Sequence, residues 1–245
     1  MNLETPSGAA LEPNPNSKQN PMKLALFDLD HTLLPLDSDH AWGQFTTRIG
    51  WTDDDAFTRR NDEFFAQYQA GALDIHDYVR FSTAAVRERG AQAAAAAHQQ
   101  YMREVIAPQL RPAAQELVEQ HRRAGDALLI ITATNEFITR PIAHAFGVDE
   151  LLAVELARRP DGWYSGEIAG TPSFREGKVQ RLAQWLAARG LGWDAVHTTF
   201  YSDSLNDLPL LEKADVPVAT NPSPSLRALA HERGWRILDL FEAPE

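Results

Sequence analysis

Two carboxylates, Asp28 and Asp30, are separated by a single residue at the end of the apolar run 24–27, and Thr32 lies just beyond. The run reads as a buried strand of a parallel sheet. The carboxyl end of such a strand opens onto a crevice where ligands bind. Carboxylates so close repel one another, so one holds a proton or a cation lies between them. The same residues also suit an acidic turn, and the rest of the chain must decide between the two readings.

A second short strand, 197–201, ends in Asp203, with Asn206 and Asp207 where a helix would begin. A carboxylate at each of two strand ends offers hard oxygen ligands that suit Mg²⁺. Between them in sequence, the apolar run 127–131 leads into Thr132, Ala133, Thr134 and Asn135. A hydroxyl beside the free amides of a helix start makes an anion site. Thr134 or Asn135 would also serve as a helix cap. Gly177 and Lys178 lie early in an amphipathic helix. A lone helical lysine is ordinarily solvated, and it gains meaning only if another feature draws it inward.

These groups need elements to carry them. After Pro35 the pattern turns helical: Ser38 or Asp39 could cap a helix through Trp42 and Phe45, Thr52 begins another, and Asp74 caps a third. The alanine-rich stretch 93–97 extends helix to about residue 107. From Pro108 and Pro112 onward, strands alternate with helical segments, which implies βαβ units and a doubly wound parallel sheet. The fold class expected is therefore α/β, with a helical insertion directly after the first strand. An insertion there sits above the crevice and is placed to act as a lid.

In order and spacing these residues resemble the haloacid dehalogenase-like hydrolase superfamily, over nearly the whole chain beyond residue 21. The Asp-x-Asp-x-Thr motif is Asp28, Asp30 and Thr32, followed by Thr132, Lys178 and the acidic motif Asp203 with Asp207. The helical block looks like a C1-type cap, and the chain is most similar to the phosphoserine phosphatase-like subgroup. That resemblance implies a Rossmann-like core at 22–36 and 109–245, a cap at 37–108 and a bound Mg²⁺. It implies Asp28 as nucleophile and Asp30 as general acid and base. Asp28, Asp203 and the Asp30 carbonyl would ligate the metal. Lys178, Thr132 and the amides of Leu29 and Ala133 would hold phosphate. Asp207, with Asn206 beside it, would support Lys178 or a metal-bound water. An acid at position 30 separates phosphate-ester hydrolases from the dehalogenases and transport ATPases of the superfamily.

The chain departs from the phosphoserine enzymes at three places. His31 stands where they carry Ser, residues 131–135 replace their Ser-Gly-Gly turn, and Ser202-Asp203-Ser204 replaces Gly-Asp-Gly. None removes a catalytic group. Substrate choice is expected to fall to the cap and its entry loop, with Asp37, Asp39, His40, Trp42, Arg48, Arg80 and Asn135 as the positions to watch. An acidic pair near 37–39 would meet a substrate amino group, and Trp42 also suits a cap core. The expected substrate is a small phosphomonoester such as phosphoserine or histidinol phosphate, with a lipid-linked glycerophosphate as the alternative. A receiver-type phospho-acceptor protein uses similar residues, but it puts its acidic pair and its acceptor on different strands and needs no insertion.

Bulk properties narrow the class further. The 245 residues are 44% hydrophobic and carry a formal net charge of −11, with no basic stripe to displace counterions from nucleic acid. Without cysteine there are no disulfides or thiolate metal sites. No apolar run reaches the length of a membrane span. Residues 1–21 lack the pattern of a signal peptide and read as a disordered leader. A cytoplasmic location is expected, and oligomeric state leaves no mark in the sequence.

Overall fold

The computed structural model describes residues 21–241; the expected leader lies outside them apart from Pro21. Strand β1 (Met22–Phe27) leads into four helices: α1 (Ser38–Arg48), α2 (Asp54–Gln69), α3 (Ile75–Ser82) and α4 (Ala84–Tyr101). There follow α5 (Pro112–Arg123), β2 (Ala127–Asn135), α6 (Glu136–Ala145) and β3 (Glu150–Val154). A small hairpin of β4 (Leu156–Arg158) and β5 (Tyr164–Ile168) precedes α7 (Glu176–Ala187). The chain then runs through β6 (Val196–Ser202), α8 (Leu208–Lys213), β7 (Val216–Thr220), α9 (Pro224–Arg233) and β8 (Arg236–Leu238).

Six strands form one parallel sheet in the order β3-β2-β1-β6-β7-β8. Chain order runs outward in both directions from β1, so the crevice at the carboxyl ends lies beside this strand. Its alternation explains the two cores. Leu24 and Leu26 point into one cluster with Leu182, Leu186, Leu211 and Leu226 from α7, α8 and α9. Ala25 and Phe27 point the other way, toward Leu117, Val118, Ile138 and Ile142 of α5 and α6. Residues 24–27 are at most 1% exposed, which accounts for an unbroken apolar run.

The helical block divides physically. Trp42, Phe45 and Tyr101, from α1 and the end of α4, join the sheet-face core, so these helices pack as part of the main body. Phe64, Leu73 and Ile75 form a separate cluster around α2 and α3. No described helix is long and apolar enough to cross a membrane.

Boundaries differ in informative ways. Asp37, not Ser38 or Asp39, caps α1 by accepting the His40 N–H at 2.8 Å. Asp53 caps α2, which starts two residues later than expected, and Asp74 caps α3. Strand β2 runs on to Asn135 rather than stopping at Ile131. Helix α7 starts only at Glu176, because Arg175 takes φ 53° and breaks the backbone before it. Gly177 is demanded by packing: a Cβ there would stand 1.9 Å from the Pro172 carbonyl oxygen.

Candidate active site

The carboxyl ends of β1, β2 and β6 bring the sequence-predicted groups together. Asp28 follows β1 directly, and its N–H donates to the Tyr201 carbonyl at 2.9 Å, continuing the pairing with β6. Lys178, on the first turn of α7, is 1% exposed. Its ammonium donates to Asp28 Oδ1 at 2.7 Å and to Asp207 Oδ2 at 2.7 Å. Ser202 at the end of β6 donates to the same Asp207 oxygen at 2.8 Å. Lys178 is thus a buried partner of two carboxylates and not a solvated helix residue, and Asp207 holds it. Thr32 donates to Asp28 Oδ2 at 3.3 Å.

Asp30 is held by two donors. The Ser38 N–H reaches Oδ1 at 2.9 Å, and the Thr134 hydroxyl reaches Oδ2 at 2.7 Å. The sequence places Thr134 in a hydroxyl cluster or at a helix cap, and the extension of β2 carries its side chain to Asp30 after the first strand. Thr132 is buried, its hydroxyl accepts the Thr134 N–H at 3.1 Å, and its carbonyl accepts from Ser173 at 2.6 Å. Thr132, Ala133 and Thr134 line one cavity with Asp28 and Asp30. Leu29 is buried in the loop after β1, its carbonyl accepting the N–H groups of Thr32, Leu33 and Leu34.

Burial dominates the electrostatics. Burial pushes the Asp28 carboxyl up to about 7; Lys178 opposes this, and Asp207 and Asp30 add to it. Asp30 is likewise pushed up to about 7 by burial and then by Asp37, against the hydrogen bonds from Ser38 and Thr134. Burial works against the Lys178 ammonium, but Asp207 and Asp28 outweigh it and hold the charge. Asp203 rises well above the usual carboxylate range through burial, then through Asp28 and Asp207. Three carboxylates, Asp28, Asp203 and Asp207, therefore face one buried ammonium.

That imbalance fits a hard cation. Among the described residues no three carboxylate or imidazole side chains form a metal group by themselves. The set implied by the motifs has only two, Asp28 and Asp203, and takes its third oxygen from the Asp30 main chain. The buried Asp28 and half-buried Asp203 carboxylates with the Asp30 carbonyl make a donor set suited to Mg²⁺.

The positions proposed for substrate separate. Asp39 lines the cavity with Asp37, is 3% exposed, and has one oxygen, Oδ1, without a hydrogen-bond partner. Trp42 does not line it. It is buried among Phe45, His98, Tyr101 and Phe137, so it belongs to the aromatic core. Asn135 caps α6 by accepting the Ile138 N–H at 3.3 Å and donates to Asp39 Oδ2 at 3.4 Å, so it supports Asp39 from behind. Arg48 pairs with Glu104, and Arg80 with Asp77 and Glu167, all at the surface. His40 pairs with Asp62 and stacks on Phe65.

Two contributors escaped sequence reasoning. Asn221, at φ 45°, donates to the His31 and Thr32 carbonyls at 3.0 and 3.2 Å and accepts the N–H groups of Leu240 and Phe241. It ties the loop after β1 to residues 240 and 241. Arg175 donates to the Gly71 carbonyl, and Asn206 donates to the Tyr68 carbonyl at 3.0 Å. Together they fasten the turn after α2 to the loop bearing Asp203 and Asp207. Only the positive φ of a non-glycine residue sets Asn221 and Arg175 apart, and that is invisible in sequence.

Comparisons with known proteins agree with this geometry. The family model described as haloacid dehalogenase-like hydrolase matches residues 25–212. The chain is 43% identical over 217 residues to a histidinol-phosphatase of Neisseria meningitidis serogroup C, covering 88% of this chain and 98% of that protein. It is 30% identical over 230 residues to phosphoserine phosphatase SerB1 of Mycobacterium tuberculosis, covering 91% of this chain and 74% of that one. A crystal structure of a Bordetella pertussis Tohama I protein of unknown function superposes with a TM-score of 0.85 at 48% identity, covering 91% of this chain and all of that one. With a family match across most of its length and a near full-length relative at this identity, the chain belongs to the haloacid dehalogenase-like hydrolase family.

Proposed function

We propose that the chain, a phosphoric monoester hydrolase of this family, transfers the phosphoryl group of a small amino-bearing ester to Asp28 and then to water. The observation that carries this reading is Lys178, buried between Asp28 and Asp207 at 2.7 Å from each. A buried ammonium fixed against a strand-end carboxylate suits charge stabilisation at a phosphoryl centre, where catalysis is mostly positioning and electrostatics.

In the first step an Asp28 oxygen attacks phosphorus, and the bond from phosphorus to the leaving alkoxide breaks. Asp30, whose carboxyl lies near 7, is suited to give the leaving oxygen its proton at neutral pH. In the second step Asp30 takes a proton from water, whose oxygen attacks phosphorus. The bond from phosphorus to Asp28 then breaks, and inorganic phosphate leaves. Lys178, the Thr132 hydroxyl and the amides near Leu29 and Ala133 would neutralise the equatorial oxygens. Asp28, Asp203 and the Asp30 carbonyl would hold Mg²⁺, which would supply positive charge to the phosphoryl oxygens. Helices α2 and α3 would act as the lid, fastened by Arg175 and Asn206.

For the substrate, two relatives carry the names histidinol-phosphatase and phosphoserine phosphatase. Both names denote amino-bearing phosphates, and the acidic pole at Asp37 and Asp39 suits an amino group. The test is hydrolysis of an aryl phosphate by purified protein with Mg²⁺. Activity should disappear with chelator and in Asp28→Asn; full activity in that variant would end the proposal.

A further inference from the structure

We infer that the cavity selects an amino-bearing phosphate whose organic part has no carboxylate, and that it rejects phosphorylated amino acids. The inference rests on the phosphatase reading above and deepens it.

Beyond the reacting end, the cavity has an acidic pole at Asp37 and Asp39 and a wall of Phe64, Leu73, Ile75 and Tyr78. Asp39 is the decisive group. It is 3% exposed, Asn135 makes a long 3.4 Å contact to its Oδ2, the Tyr78 hydroxyl lies against the carboxyl, and its Oδ1 has no partner within hydrogen-bond distance. A buried carboxyl oxygen left unpaired is costly, and a substrate ammonium would satisfy it.

The same inventory leaves a carboxylate with nothing to meet. None of the described residues lining this cavity is lysine, arginine or histidine. Four cations of neighbouring elements are engaged elsewhere, and His31 lines the adjoining groove with Phe65 and Tyr68. Lys178 serves Asp28 and Asp207, Arg80 serves Asp77 and Glu167, Arg48 serves Glu104, and Arg175 reaches the Gly71 carbonyl and Asn206. A phosphorylated α-amino acid would bring its carboxylate beside Asp37 and Asp39, where like charge and desolvation act together. An amino-alcohol phosphate brings the ammonium alone. The aromatic and branched wall gives a flat or apolar substituent a surface to cover.

A matched pair of probes reads this directly. O-phosphoethanolamine and O-phosphoserine differ only by the carboxylate, and histidinol phosphate adds a ring. With the full chain and Mg²⁺, kcat/KM for phosphoethanolamine should exceed that for phosphoserine by about a hundredfold or more, since a buried unpaired charge is rejected far more strongly than a missing methylene. Histidinol phosphate should exceed both. In Asp39→Asn, the phosphoethanolamine-to-phosphoserine ratio should fall to about ten or below. A wild-type ratio at or under one would overturn the inference, and that measurement needs no variant. An unchanged ratio in a folded Asp39→Asn protein would also overturn it. If the wild type fails to cleave an aryl phosphate with Mg²⁺, the phosphatase reading has failed instead.

Discussion

The Thr134 hydroxyl donates to the Asp30 carboxylate at 2.7 Å, joining the end of β2 to the loop after β1 across 104 positions of sequence. Asp30 is half-buried beside Asp37, and its charged form is disfavoured there. Thr134 is a group that keeps it ionisable and aimed. Replacing Thr134 with valine keeps the shape and removes the donor, leaving a polar oxygen unsatisfied at a cost of about 1–3 kcal/mol. The expected result is a fall in kcat of about ten- to a hundredfold with KM nearly unchanged, measured with an aryl phosphate. An unaltered kcat would remove Thr134 from the acid–base apparatus.

Lys178→Met tests the buried charge cluster. Removing one partner leaves Asp28 and Asp207 buried without their ammonium, which typically costs about 3–5 kcal/mol. Chemical denaturation should show a loss of that order in chelator-treated protein, and activity should vanish. Stability equal to wild type would mean that the cluster relaxes or takes up protons.

The Asp39 carboxyl is held well above its ordinary value of 3.8 by burial, then by Asp37 and Asp30. The folded chain therefore binds this proton more tightly than the unfolded chain does. By linkage, the group causes no differential loss below the ordinary value and destabilises the fold progressively as pH rises above it. Asp39→Asn should accordingly raise the melting temperature of ligand-free protein, and raise it more at pH 8 than at pH 4. Thermal denaturation at the two pH values checks this. A gain confined to pH 4 would contradict the assignment.

Much of this site was legible because strand ends are local patterns. The run 24–27 reads as buried because both faces of β1 are covered, and Asp28 and Asp30 follow it without a gap. Lys178 was legible only through its position in the order of motifs, since an amphipathic helix gives no sign of which lysine turns inward. Thr134 resembled a cap residue because the extra length of β2 comes from pairing with β3, which is not local. Trp42 sits one turn from the acidic loop in sequence, but it packs on its own helix's inner face, among rings from α4 and α6. Asn221 joins residues 190 positions apart, and no periodicity encodes such a contact.

Asn221 provides a test of that long-range strap. Asn221→Asp retains the acceptor for Leu240 and Phe241 but loses the donor to the His31 and Thr32 carbonyls. Asn221→Gly tolerates the left-handed backbone and loses both. The aspartate variant should lower kcat several-fold with little effect on proteolytic release of the C-terminal segment. The glycine variant should show both effects. If the two variants behave alike, the loop and the segment are not linked through this side chain.

On the proposed mechanism, Asp28 carries the phosphoryl group between the two steps. Turnover should be stopped with acid and the protein treated with borohydride, which reduces an acyl phosphate on aspartate to the homoserine side chain. Peptide mapping by mass spectrometry then locates the change. Homoserine is expected at position 28 in protein quenched during turnover, and none in Asp28→Asn or without substrate. Modification at another residue, or rapid turnover with no modified peptide and full activity in Asp28→Asn, would contradict it.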